Sequence, residues 1–135
     1  MIRYIVVSII GGLIFGILDG MLNANPLAQK LYAVYKPIAR ESINIPAGLL
    51  IDLCYGFILA AIFLVLHSSL PGETALIKSL SYGCLIWFFR VVMYAASHWM
   101  MFQISGAAIA YMLLAGLAEM LILGIVYGLA LRPVL

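Results

Sequence analysis

Four apolar runs, each long enough to cross a bilayer as a helix, govern what this chain can fold into. They are Tyr4–Leu22, Ala47–Leu66, Leu76–Phe102 and Gly106–Leu131. A helix needs about 20 apolar residues to span the hydrocarbon core, and it satisfies its backbone polar groups internally. Composition closes the alternative. The chain is 67% hydrophobic and only 9% charged, whereas soluble domains carry about 25% charged residues. The expectation is one all-α domain over residues 1–135: a polytopic membrane protein built as an antiparallel four-transmembrane-helix bundle, with lipid as its solvent.

Breakers mark the boundaries. Asn23-Ala24-Asn25-Pro26 follows the first run and Pro46 precedes the second. Ser68-Ser69-Leu70-Pro71-Gly72 follows the second, Gln103-Ile104-Ser105-Gly106 makes a short turn after the third, and Arg132-Pro133 closes the fourth. Short links force consecutive helices to lie antiparallel. The first run has the look of a secretory signal, with Arg3 before an apolar stretch. Leu22-Asn23-Ala24 is a poor cleavage site because its first position is large, so a retained transmembrane helix is expected.

The long link between the first two runs has its own pattern. Leu27, Leu31, Val34, Tyr35 and Ile38 fall within about a 100° arc at helical periodicity. Gln29, Lys30, Lys36 and Arg40 lie opposite. This predicts a short amphipathic helix over residues 27–35, lying in the headgroup layer and ended by Pro37. It either tethers the bundle or offers a docking surface. Orientation is not set by charge. Arg3, Lys78 and Arg132 stand on one side against Lys30, Lys36 and Arg40 on the other, so the positive-inside rule ties. Four spans put both termini on one side, and the free amino group tilts that side toward the cytoplasm.

In lipid, helices associate through close backbone approach rather than by burying leucine. Ser8, Gly12, Gly16 and Gly20 make one groove on the first helix, and Gly124 and Gly128 another on the fourth. Each packs against a helix of the same chain or receives another subunit or a second copy. A faint tandem pattern joins the halves: Gly48 and Asp52 precede Gly56 as Gly116 and Glu119 precede Gly124, with a gap needed to align the acids.

Two charges stand deep in the apolar runs. Arg90 follows Trp87-Phe88-Phe89, and Glu119 sits near the centre of the fourth run. A charge at the bilayer midplane costs about 2.5–3.5 kcal/mol on insertion scales, so the two are expected to face each other inside the bundle. Tyr94 and His98 follow Arg90 at four-residue spacing on one side of the third helix. Asp52 with Tyr55, Tyr111 and Asp19 extend the set toward the face carrying the long link. Together they sketch a polar track from one surface to mid-membrane. It is either a satisfied network, in which removing one partner would cost about 3–5 kcal/mol, or a path for an ion, proton or anionic solute. Asp19 and Asp52 lie near enough to an interface to be hydrated. Neither helix bearing Arg90 or Glu119 has an internal proline, and no unwound segment is expected.

Other chemistries find little footing. No catalytic motif occurs: there is no phosphate-binding glycine loop, no zinc-protease helix and no nucleophile elbow. Ser68 and Ser69 beside His67 read as a helix end. No metal site or cofactor is expected. His67 and His98 end different spans on opposite faces, and Cys54 and Cys84 lack metal-site spacing. Their depths differ by roughly 10 Å, too far for a disulfide, which needs Cα atoms within about 7 Å. Trp99 and Tyr4 read as interfacial anchors, and Trp87 as packed within the bundle. The net charge of +2 with no basic cluster argues against nucleic acid.

The leading functional expectation is an accessory or assembly subunit of a larger membrane complex, its partners being lipid and other membrane subunits or a second copy. The alternative is a small dimeric transporter or channel using the Arg90/Glu119 site. A membrane enzyme or lipid-binding protein acting through His98, Asp52 and Asp19 ranks third.

Overall fold

The computed structural model describes residues 1–39 and 41–131; Arg40 and the Arg132-Pro133 stop lie outside the described residues. Of the described residues 86% are helical, and no strand occurs among them. The helices are α1 (Ile2–Ala24), α2 (Pro26–Leu31), α3 (Ile45–Leu66), α4 (Ala75–Trp87), α5 (Met93–Met101) and α6 (Gly106–Ala130). Four helical stretches, Ile2–Ala24, Ile45–Ser69, Ala75–Met101 and Gly106–Ala130, are long and apolar enough to cross a membrane.

Local chemistry starts and stops these elements where the breakers predict. Asn25, Asn44, Thr74 and Ser105 each accept a hydrogen bond from a backbone N–H in the first turn of the following helix, satisfying donors that a helix start leaves free. Pro26 and Pro46 occupy the first turns of α2 and α3, where the missing N–H costs nothing. Gly72 turns the chain between α3 and α4 at φ 111°, a conformation that favours glycine. The Lys78 ammonium then donates to the carbonyls of His67 and Leu70, covering the exposed end of the second span.

Two features depart from the sequence expectation. The link is helical only over Pro26–Leu31, then continues as a 3₁₀ helix over Ala33–Ile38 that contains Pro37. Its inward side is Ala28, with Tyr32 and Tyr35, while Leu27, Val34 and Ile38 of the expected apolar arc are exposed. The third span is also interrupted. Phe88–Val92 form a π-helical turn between α4 and α5. Trp87, before the turn, donates through Nε1 to the Leu113 carbonyl at 2.9 Å. Val91, within it, fills the space that Gly116 leaves on α6. The wide turn takes up the extra residue between these two fixed contacts, and such turns occur often at functional sites.

The packing repeats. Ser8 and Gly12 of α1 lie against Gly56 of α3, and Ser79 and Gly83 of α4 lie against Gly124 of α6. Gly12 also meets the backbone of Asp52 and Leu53, and Gly83 that of Met120 and Leu121. The chain therefore holds two similar helix pairs. The match places Asp52 with Met120, not with Glu119, so the acid-to-acid alignment read from the sequence falls one residue off. α1 against α6 joins the pairs, and Tyr82 and Tyr127 reach from the second pair to the Leu59 and Gly56 carbonyls of α3. The Arg3 guanidinium donates to the Ala130 carbonyl at 2.6 Å, setting the start of α1 beside the end of α6. Phe15, Phe63, Tyr82, Met120, Leu123 and Tyr127 fill the centre. Outward faces carry residues such as Leu50, Val65, Phe89 and Leu114, which suits a chain with lipid as solvent.

Candidate functional site

A cavity of about 440 Å³ lies between the C-terminal half of α1, the link, the π turn and the middle of α6. Asp19, Tyr55, Arg90, Tyr94 and Glu119 all line it. Of the polar track read from the sequence, these five come together. Asp52 does not line it. It faces a second groove of about 660 Å³ on the other side of α1, lined also by Gly12, Gly16 and Gly20, and the two spaces share Asp19 and Asn23. His98 stacks on Tyr94 with ring centroids 4.0 Å apart and meets the Tyr35 hydroxyl through Nδ1 at 2.7 Å. Tyr111 holds the start of the link, donating to the Leu22 carbonyl and accepting from Asn25 Nδ2. These last two tether the roof instead of lining the cavity.

Arg90 and Glu119 share the cavity, but the expected ion pair is not formed among the described residues. The Arg90 guanidinium lies against two neighbouring rings, 4.7 Å from the Phe15 centroid and 4.9 Å from that of Tyr55, the two centroids being 5.1 Å apart. Its Nε is buried and without a hydrogen-bond partner. Aromatic faces stabilise a cation there by about 0.5–2 kcal/mol while leaving its N–H edge unused. Glu119 is 3% exposed, and its Oε1 likewise has no partner. Its neighbour is Asp19, whose carboxyl stands within hydrogen-bonding reach. Asp19, read from the sequence as a hydrated interfacial acid, is thus part of the interior site.

The sequence reading missed Phe15, Asn23, Tyr32 and Tyr35. The roof tyrosines had a signal in the Tyr32-x-x-Tyr35 pair, with Tyr35 in the apolar arc of the link and Tyr32 on its polar side, one turn before Lys36. Tyr32 is pushed up to about 12 by burial, with neighbouring tyrosine hydroxyls adding to the effect. Burial also raises Tyr35. Both hydroxyls therefore stay protonated and able to donate at neutral pH.

The small residues pack within the chain. Ser8 and Gly12 are taken by α3, Gly16 by the Asp52 carboxylate, and Gly124 and Gly128 by Ser79 and Gly83 of α4. Only Gly20 of the set has open space beside it. Tyr4, read as an interfacial anchor, donates its hydroxyl to the Phe57 carbonyl at 2.8 Å, whereas Trp99 is exposed. Cys54 and Cys84 are free thiols on the outer faces. Among the described residues no group of three or more His, Cys, Asp or Glu side chains is placed to hold a metal ion. No protein-family description matches the chain, and neither a curated protein nor a solved structure is similar to it.

Proposed function

We propose that this chain is a small, non-catalytic transporter or channel whose interior cavity admits a small polar or charged solute, a proton included. In this reading the four spans thread the bilayer as an antiparallel bundle, with both ends on the cytoplasmic side and the link lying in the opposite headgroup layer. One observation carries it. Between the spans, a cavity of about 440 Å³ lined by Arg90 and Glu119 meets a guanidinium nitrogen and a carboxyl oxygen that the protein itself leaves unpaired. An ordinary structural network would pair them, because an unsatisfied buried charged group costs several kcal/mol or so. The π turn at Arg90 and the position of the site between two similar helix pairs add support. The test is flux into proteoliposomes, followed with an internal pH dye and a panel of labelled small solutes. Wild type should conduct and Glu119→Gln should lose most of that flux. Equal flux in both, or none in either, removes the reading.

The accessory-subunit reading rests on small-residue faces left for another protein. Most of those faces are filled within the chain, which is why it ranks second here. What favours it is the open space beside Gly20 and Gly48. Recovery of stoichiometric partners after purification in mild detergent, lost on substituting Gly20 and Gly48 with leucine, would restore it to first place.

A further inference from the structure

We propose that the solute is a small zwitterion, an amino acid whose carboxylate seats on Arg90 and whose primary ammonium seats on Glu119 and Asp19. This rests on the cavity being a solute site and adds the class of solute.

The cavity has two poles, and each has bonding capacity left over. At one, Arg90 lies against the Phe15 and Tyr55 rings, and its buried Nε donates to nothing among the described residues. Ring faces attract a cation but do not replace the acceptors that its in-plane N–H groups need. At the other pole, Glu119 is 3% exposed, and its Oε1 accepts from nothing among the described residues. Asp19 lines the same cavity. A buried donor or acceptor left unmade carries its full desolvation cost. Two such groups of opposite chemistry in one cavity fit a ligand that offers an acceptor to the first and a donor to the second.

The repeat explains why the poles differ in sign. Ser8 and Ser79 are matching contacts on Gly56 and Gly124 of the two helix pairs. Asp19 stands eleven residues beyond Ser8, and Arg90 eleven beyond Ser79. Matching places in the two halves thus carry an acid and a base, and both line the cavity. A lone anion or a lone cation would answer one pole, leave the other unpaired and add a net charge between the spans, which is costly. A zwitterion answers both and adds none, whatever protons the acids hold. The guanidinium fork matches a carboxylate by two parallel bonds, and carboxyl oxygens accept from the N–H groups of an ammonium. Val91, Met112 and Ala115 supply an apolar wall for a carbon skeleton. At about 30 Å³ per water, the 440 Å³ space has room for a short skeleton and a few waters. No covalent step is involved.

The experiment is calorimetric titration of the full chain in detergent at neutral pH. Glycine, β-alanine and 4-aminobutyrate present the same two charges on lengthening skeletons. Butyrate lacks the ammonium, butylamine lacks the carboxylate, and phosphoethanolamine stands for a lipid headgroup. At least one amino acid should bind about tenfold or more tightly than butyrate and butylamine. Its N-trimethyl form, which keeps both charges and has no N–H, should bind about tenfold more weakly than the parent. Arg90→Gln should lose about tenfold for the amino acid and keep its affinity for butylamine; Glu119→Gln should lose as much and keep its affinity for butyrate. The wild-type ranking needs no variant to fold. Butyrate or butylamine binding as tightly as every amino acid, an undiminished N-trimethyl form, or phosphoethanolamine as the tightest ligand overturns the solute class and leaves the cavity's role as a solute site standing. Equal losses for all solutes, in variants whose circular dichroism matches wild type, overturn the assignment of the two poles. Binding of none of the solutes overturns the proposal, and the flux comparison then decides separately whether the cavity conducts at all.

Discussion

Gly56 rests directly on Gly12: a side chain there would fall 2.6 Å from the Gly12 nitrogen. Nothing but a hydrogen atom fits between α1 and α3 at this crossing. The same approach recurs between Gly124 and Gly83, where a side chain would fall 3.1 Å from the Gly83 nitrogen. With no hydrophobic drive between helices in lipid, such close approach is what holds a pair together. These two crossings seat α1 on α3 and α6 on α4, and Gly11 against Tyr127 then brings α1, with Asp19, to α6, with Glu119.

Substituting either crossing glycine should therefore loosen the fold. Gly56→Ala and Gly124→Ala are each expected to cost about 1–3 kcal/mol, the usual range for overpacking. Gly20→Ala, with open space beside it, should stay within about 0.5 kcal/mol of wild type. Unfolding in mixed micelles of increasing denaturing-detergent fraction, followed by circular dichroism, separates these outcomes. Equal stability of all three variants would contradict the packing described.

Tyr82 bridges the two helix pairs by donating its hydroxyl to the Leu59 carbonyl. Tyr82→Phe removes that bond and keeps the ring against Phe63. A loss of about 0.5–1.5 kcal/mol in the same unfolding measurement is expected. A larger loss would mean that the hydroxyl also orders neighbours beyond Leu59.

The aromatic faces on Arg90 can be weighed by a double-mutant cycle. Phe15→Leu alone should destabilise through lost ring volume and lost cation contact together. Repeating it in an Arg90→Gln background isolates the contact, expected at about 0.5–2 kcal/mol. No coupling between the two substitutions would show that the guanidinium is held by something else.

The link carries a pH signature. Burial holds the Tyr32 hydroxyl up to about 12, above its unfolded value of 10.0. A raised folded value means that the unfolded chain gives up the proton first. The stability Tyr32 contributes is thus complete below about pH 10 and lost as the pH climbs through about 12. Tyr32→Phe should be less sensitive to alkali than wild type across that window, and the wild-type minus variant ultraviolet titration should show a phenol ionising near its upper end. Ionisation at the ordinary tyrosine position would mean that the roof does not cover Tyr32.

The sequence by itself determined the four spans and nearly all of their ends. Run length, Asn25, Asn44, Thr74, Ser105 and the prolines act within a few residues of where they stand, so local rules suffice to read them. It also determined that Arg90 and Glu119 belong to one interior, because lipid exacts a high cost for charge. Only the tertiary structure decided how each helix is rotated. In lipid, the outward face of a helix is as apolar as the inward one, so periodicity does not reveal which side is buried. That is why Asp19 proved to be the partner of Glu119, why Arg90 lies against Phe15 and Tyr55, and why Tyr32 and Tyr35 face inward while Leu27 and Ile38 do not. The π turn belongs to the same class: it exists because Trp87 and Val91 are each held by a different place on α6, a constraint that no stretch of the third span contains.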